Sequence, residues 1–155
     1  MSHPDPSVGF LLHDVARLMR KRFEQRARSA GLTSAQWQAI VHLSKCEGIN
    51  QAGLAELLEV EPITLVRMLD RLAERGLIER RQHPTDRRIW QLFLKDAARP
   101  LVGALQRIGE ATRAEALAGL SDDERARLAG SLTTMKTNLT TACRAPVEEK
   151  EAYYG

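Results

Sequence analysis

Apolar residues recur at steps of three and four from Val8 to Leu72, and directly after Gly76 the step becomes two. A step of three or four stacks side chains on one face of a helix; a step of two places them on one face of a strand. The chain is therefore bound to run as helices, then as a short pair of strands, then as helices again. Val8, Leu12, Val15, Met19 and Phe23 share the face of a first helix, which Gly31 stops. Thr33 with Gln36 makes a capping box that opens a second helix running to about Cys46, with Trp37, Ile40, Val41 and Leu43 as its apolar positions. A third helix starts at Asn50 or Gln51 and buries Leu54, Ala55, Leu57 and Leu58. Pro62 fits the first turn of a fourth, which carries Leu65, Val66, Leu69 and Leu72 and ends at Gly76.

The runs "LIERR" and "RIWQLFL" then read as a two-stranded hairpin around "QHPTD". Ile89, Gln91 and Phe93 face one way, and Arg88, Trp90, Leu92 and Leu94 the other. Helix resumes near Ala97, with Pro100 in its first turn and Leu101, Leu105, Ile108 and Thr112 on one face. Ser121 to Glu124 is a second capping box. The last helix sets Leu128, Leu132, Met135, Leu139 and Ala142 at steps of four and three, a heptad seam. That seam suits either an intrachain core or a second copy of the chain. Three long helices enclose little on their own, so pairing of terminal helices from two chains is the better reading.

Helix, helix, tight connection, helix and hairpin is the order of a winged helix-turn-helix, with the fourth helix as the element that enters the major groove. Its first turns offer Pro62, Ile63, Thr64 and Arg67. An arginine can bind guanine O6 and N7 together, and Ile63 or Thr64 can meet a thymine methyl or a phosphate. The chain as a whole carries a net charge of only +3 over 155 residues. Between Pro62 and Lys95, eight basic residues (Arg67, Arg71, Arg75, Arg80, Arg81, Arg87, Arg88, Lys95) face four acidic ones (Asp70, Glu74, Glu79, Asp86), a local net of +4. Such a local excess is the footprint of a phosphate backbone. Arg87 and Arg88 at the hairpin tip are placed to reach a narrow minor groove, where negative potential is concentrated. Asp86 serves to orient an arginine by a charge-assisted bond. The plainer reading of the tip is a solvated, charged hairpin.

Other chemistry finds little support. His42 and Cys46 are four apart on one helix face, but zinc needs at least three protein ligands. No catalytic triad, no phosphate-binding glycine loop and no cofactor motif is readable, so an enzyme is not expected. No apolar run of about 18 residues is present. With no basic, apolar leader at the N-terminus, a cytoplasmic protein is expected. Cys46 and Cys143 read as reduced thiols. Trp37 has two readings: a core residue packing the first helix on the second, or the wall of a pocket for an aromatic carboxylate, with Arg17 and Arg20 as charge partners.

The segment "LVRMLDRLAERGLIERRQHPTDRRIWQLFL" resembles the recognition helix and wing of MarR-family transcription regulators, particularly the SlyA-like branch. The pattern "LVRxLDxLxxxGLIxR" followed by "DRR" carries the likeness, and "DVARLMRKRF" and "LTSAQW" extend it from about Val8 to Ala142. The resemblance implies an obligate homodimer on two-fold double-stranded DNA sites, controlling transcription and released by small aromatic or anionic ligands. It also implies that Arg67 reads a base, that Arg87 enters the minor groove and that Asp86 braces Arg67. Thr64 stands where a serine is common, and Ile63 where a proline is frequent. A pocket histidine of SlyA-like proteins falls at Val41 here, with His42 one step off.

The expectation is thus a mainly α protein with a small β-hairpin. Residues 1–31 would form a dimerisation helix, 32–96 a winged helix-turn-helix, 97–143 further dimerisation helices and 144–155 a frayed tail. DNA would be met by Gln51, Pro62, Ile63, Thr64, Arg67, Arg71, Arg80, Arg81, Asp86, Arg87 and Arg88. An effector would be met by Arg17, Arg20, Trp37, Val41 and His42. The expected function is a repressor on a palindromic operator. Its rivals are an architectural protein coating A·T-rich DNA with weak sequence choice, and a winged helix used only for protein contact.

Overall fold

The computed structural model describes residues 7–147, and contacts divide the chain into one unit ending at Ala116 and another beginning at Leu117. In the first unit, α1 (Val8–Ala27) begins at Ser7, whose hydroxyl accepts the Phe10 N–H, and ends through a 3₁₀ turn at Gly31, φ +67°. The Thr33 and Gln36 side chains close the capping box at the start of α2 (Ser34–Lys45). Asn50 caps α3 (Gln51–Leu58) by accepting the Gly53 N–H at 2.7 Å. Pro62 opens α4 (Pro62–Glu74), and Gly76 leaves it with φ +71°, a conformation that suits glycine. The antiparallel strands β1 (Ile78–Gln82) and β2 (Trp90–Leu94) pair from Ile78↔Leu94 to Gln82↔Trp90. A 3₁₀ turn over Asp96–Ala98 leads into α5 (Arg99–Ala116).

One apolar core joins these elements. Ile40 and Leu43 of α2, Leu54 of α3, and Leu65, Leu69 and Leu72 of α4 are fully buried with Ile78 and Leu92 of the hairpin. The loop before α3 closes the free edge of β2: Gly48 N–H donates to Leu92 O at 2.8 Å, and Leu92 N–H to Ile49 O at 2.9 Å. Three sequence expectations need correction. Leu57 and Val66 are 48% and 37% exposed, and Met68 is buried in their stead. On α3 the core face centres on Leu54, Ala55 and Leu58; on α4 it centres on Leu65, Leu69 and Leu72. Leu57 and Val66 each lie roughly 100° from that centre at 3.6 residues per turn. Arg88 and Ile89, expected in the second strand, belong to the turn: Ile89 N–H donates back to Asp86 O at 3.1 Å.

An ionic tie fastens α1 to α5. Arg22 donates to both carboxylate oxygens of Glu115, at 2.8 and 3.0 Å. Arg26 binds Glu115 as well, and reaches the buried Thr112 hydroxyl at 3.0 Å. The Arg22 hydrogen bond, with Arg26 assisting, holds the Glu115 carboxyl down to about 2.

The second unit is built around α6 (Asp122–Ala142), started by the Ser121–Glu124 capping box and three acidic residues in its first turn. Arg125 donates to the Leu117 and Leu120 carbonyls at 3.1 Å each. No residue of α6 is buried, and Leu128, Leu132 and Leu139 of the seam are exposed. The tail expected at 144–155 lies outside the described residues from 148 onward, as do residues 1–6 at the other end.

The Glu115 tie has a pH signature. A carboxyl lowered on folding contributes stability that is present above its ordinary value of 4.5 and is lost as pH falls toward 2. Glu115→Gln should therefore unfold at lower urea than the parent at pH 7. The difference between the two midpoints should shrink between pH 4.5 and pH 2. A gap constant across that window would show that the ion pair contributes nothing.

Candidate nucleic-acid interface and ligand cleft

The amphipathic α4 buries Leu65, Met68, Leu69 and Leu72 and turns Ile63, Thr64, Arg67 and Arg71 outward. Ile63 is 65% exposed, and Pro62 lies beside it at the solvent-facing start of the helix. Arg67 and Arg71 are one turn apart, and neither side chain makes a hydrogen bond or ion pair among the described residues.

The hairpin arginines fall into two groups. Arg80 donates through Nε to Gln51 Oε1 at 3.0 Å and through its terminal nitrogen to Asp70 Oδ1 at 2.7 Å. Arg81 pairs with Glu79 and lies 4.2 Å over the Phe93 ring. Arg88 holds Asp86 with two guanidinium bonds, at 3.1 and 3.2 Å, while its backbone N–H donates to the same carboxylate at 3.0 Å. These bonds keep the Asp86 carboxyl below its usual range. Arg87 alone of the four has an exposed side chain with no partner among the described residues. The expected brace from Asp86 to Arg67 is therefore not made. Asp86 is taken up by Arg88, two residues along the same turn, where short loop geometry favours a local bond. Gln51, expected at DNA, has its carbonyl oxygen engaged by Arg80.

A cleft of about 660 Å³ opens between α1, α2 and α5. Phe23, Trp37, Ile40, Val41 and Leu105 supply its apolar wall, and Arg20, Lys45 and Arg113 bring three cations against the single carboxylate of Glu110. Phe23 and Trp37 are in ring contact, centroids 4.2 Å apart and tilted by 31°. Trp37 is only 8% exposed, yet its buried Nε1 has no acceptor among the described residues. Trp37 is thus a core residue that also lines the cleft. Arg20, Trp37 and Val41 line the cleft as expected, whereas Arg17 and His42 do not. Arg17 pairs with Asp14 at 3.5 Å on the outer side of α1. His42 is half-buried, and desolvation, then the charge of Lys45, lowers its pKa.

Lys45 and Arg113 were not anticipated. The available signal was Gly109, which continues the face of Leu105 and Thr112 and leaves room beside Phe23: a Cβ there would sit 3.8 Å from that ring. Among the described residues no cluster of three or more His, Cys, Asp or Glu could hold a metal, and no helix is long and apolar enough to cross a membrane.

The MarR family model matches residues 32–90, from the residue before the α2 cap to the first residue of β2. The crystal structure of the transcriptional regulator PA3341 is 30% identical, with 87% of this chain and 99% of that chain covered and a TM-score of 0.78. The chain belongs to the MarR family. Apo wild-type MarR from E. coli is 25% identical, covering 86% of this chain and 98% of its own, with a TM-score of 0.74. A Listeria monocytogenes protein solved with a 26mer DNA shares the fold at 23% identity, covering 88% and 91%, with a TM-score of 0.76. Like other members of the MarR family, the chain is a winged-helix transcription regulator and not an enzyme.

The indole of this MarR-family chain can be tested as a core group. An unpaired buried donor costs roughly 1–3 kcal/mol, so removing it offsets part of the packing lost on substitution. Trp37→Phe should cost less than about 1.5 kcal/mol in urea unfolding, and Trp37→Ala about 3–5 kcal/mol. A Trp37→Phe loss well above about 1.5 kcal/mol would mean that the indole N–H is satisfied, because the substitution then also breaks a hydrogen bond.

Proposed function

We propose that the chain is a cytoplasmic, homodimeric repressor that binds a palindromic double-stranded operator and leaves it when an aromatic carboxylate occupies the cleft. The observation that carries the DNA reading is the sorting of charge. Arg67 and Arg71 on α4 and Arg87 at the wing tip have no side-chain partner among the described residues, while their basic neighbours on the hairpin are bound internally. Unpaired guanidinium groups are the ones ready to exchange counterions for phosphates and base edges. Arg67, Thr64 and Ile63 would face the major groove, and Arg87 the adjacent minor groove.

Residues 32–96 would serve as the DNA-binding lobe, with 1–31 and 97–143 as dimerisation segments. Val8, Phe10, Leu11, Val15 and Leu18 of α1 and the α6 seam are exposed apolar surface that a second copy would cover. Leu132→Glu should shift the protein toward monomer in sedimentation velocity; an unchanged dimer would remove the seam from the interface.

Binding isotherms on a selected operator and on scrambled DNA, at one salt concentration, test the main reading. Arg67→Ala should cost about 1–3 kcal/mol on the operator and relax base choice. Arg87→Ala should weaken chiefly sites with a narrow minor groove. Equal losses for Arg67→Ala on both DNAs would favour the architectural rival.

The cleft supports the effector reading. An aromatic ring would contact Phe23 and Trp37, and its carboxylate would meet Arg20, Arg113 or Lys45. Occupancy would favour a half-site spacing that no longer matches the duplex, and DNA would weaken the ligand by the same factor. Salicylate-like acids should quench Trp37 in a Trp90→Phe background and release operator, and Arg20→Ala or Arg113→Ala should weaken both effects together. Unchanged affinity and release in both variants would sink the assignment.

A further inference from the structure

We infer that Arg80 is a positioning residue: with Gln51 and Asp70 it fixes the wing to the recognition helix and does not itself bind phosphate. This rests on the DNA reading above. The three residues come from three elements. Arg80 is central in β1, Gln51 is the first residue of α3, and Asp70 lies on α4 one turn after Arg67. The guanidinium spans them, with Nε on Gln51 at 3.0 Å and a terminal nitrogen on Asp70 at 2.7 Å. Only 24% of the Arg80 side chain is exposed. Its partner in the register is Leu92, which is fully buried, so Arg80 stands at the margin of the core.

Charge points the same way. Asp70 neutralises Arg80, and a paired, half-covered guanidinium releases few counterions. A planar fork is what the geometry requires, because a lysine ammonium is a compact point charge that does not present two fixed directions. The wing turns beyond Gln82, so Arg87 hangs on a lever whose base is held at Arg80. Arg67 and Arg87 must meet one duplex together, and any tilt at that base grows toward the tip.

Two opposed expectations make the idea testable. If Arg80 were a phosphate contact, Arg80→Lys would keep most of its contribution, and Asp70→Ala, by removing a negative charge, would tighten DNA. If Arg80 positions the wing, both substitutions loosen the specific complex. The experiment measures affinity against salt for the full-length dimer, on the duplex that the wild type selects from a randomised pool and on a scrambled duplex. Gln51→Met, which changes no charge, is the third variant, and far-UV circular dichroism with thermal melts confirms that each is folded.

The expected result is a loss of about tenfold or more on the selected duplex for all three, less than twofold on scrambled DNA, and a salt slope within error of the wild type. Arg80→Lys combined with Asp70→Ala should lose no more than either alone, because the two act through one contact. An Arg80→Gln variant whose slope falls by about 0.9 per site would make Arg80 a phosphate ligand and overturn the inference. So would tighter operator binding by Asp70→Ala. A wild type with no preference for any duplex would overturn the DNA reading and this inference together. Wild-type selectivity with unaffected variants would overturn this inference alone.

Discussion

Burial of one leucine stripe organises the first unit. Leu65, Leu69 and Leu72 of α4 are fully buried, and each such side chain contributes about 1.5–3 kcal/mol. The stripe meets Leu54 of α3, Leu43 of α2 and, from the hairpin, Ile78 and Leu92. A helix held on one face by this much apolar contact has no rotational freedom, so its opposite face is fixed as well. Ile63, Thr64, Arg67 and Arg71 point outward because Leu65, Leu69 and Leu72 cannot.

The same logic governs charge. A net of +4 between Pro62 and Lys95 would repel itself if every arginine stood free. The fold disperses it by pairing Arg80 with Asp70, Arg81 with Glu79, and Arg88 with Asp86. Exposed pairs of this kind add little stability. Their larger effect is selection: among the described residues of this segment they leave Arg67, Arg71, Arg75, Arg87 and Lys95 without a carboxylate partner, and of these Arg67, Arg71 and Arg87 lie on the outer face of α4 and at the wing tip. Asp86 shows this well. It orders the turn through Arg88, and in doing so it leaves Arg87, the residue between them, with its side chain outward.

Helices, caps and hairpin were legible in the sequence because each is a local matter: a period, a capping residue, a glycine at positive φ. Thr33 with Gln36, Ser121 with Glu124, and Gly76 all stand where their spacing placed them. What was not legible is what joins distant positions. Gln51 and Arg80 are 29 residues apart, and nothing in either neighbourhood announces the pair. Arg22 and Glu115 are 93 apart. The cleft was half-readable for the same reason. Its α1 and α2 walls could be inferred from Arg20, Trp37 and Val41, which lie within a short span. Arg113 on α5 required knowing that α5 returns to pack beside Phe23. Asp86 erred in the opposite direction, since the family likeness pointed to a distant Arg67 where a bond two residues away closes first.

Trp37 links the two candidate sites. Its ring contacts Phe23 on α1, and one turn later on the same helix Ile40 is fully buried in the core that also seats α4. A group entering the cleft between Trp37 and Leu105 would press on the helix whose far face supports the leucine stripe. Close-packed interiors transmit such displacement and do not absorb it. Arg22, Arg26 and Glu115 meanwhile hold α1 against α5, so those two walls of the cleft resist spreading. The third wall is α2, where the buried Trp37 Nε1 has no acceptor among the described residues. A group pressing on α2 would meet Ile40 and Leu43, the side chains that pack in the core beneath α4.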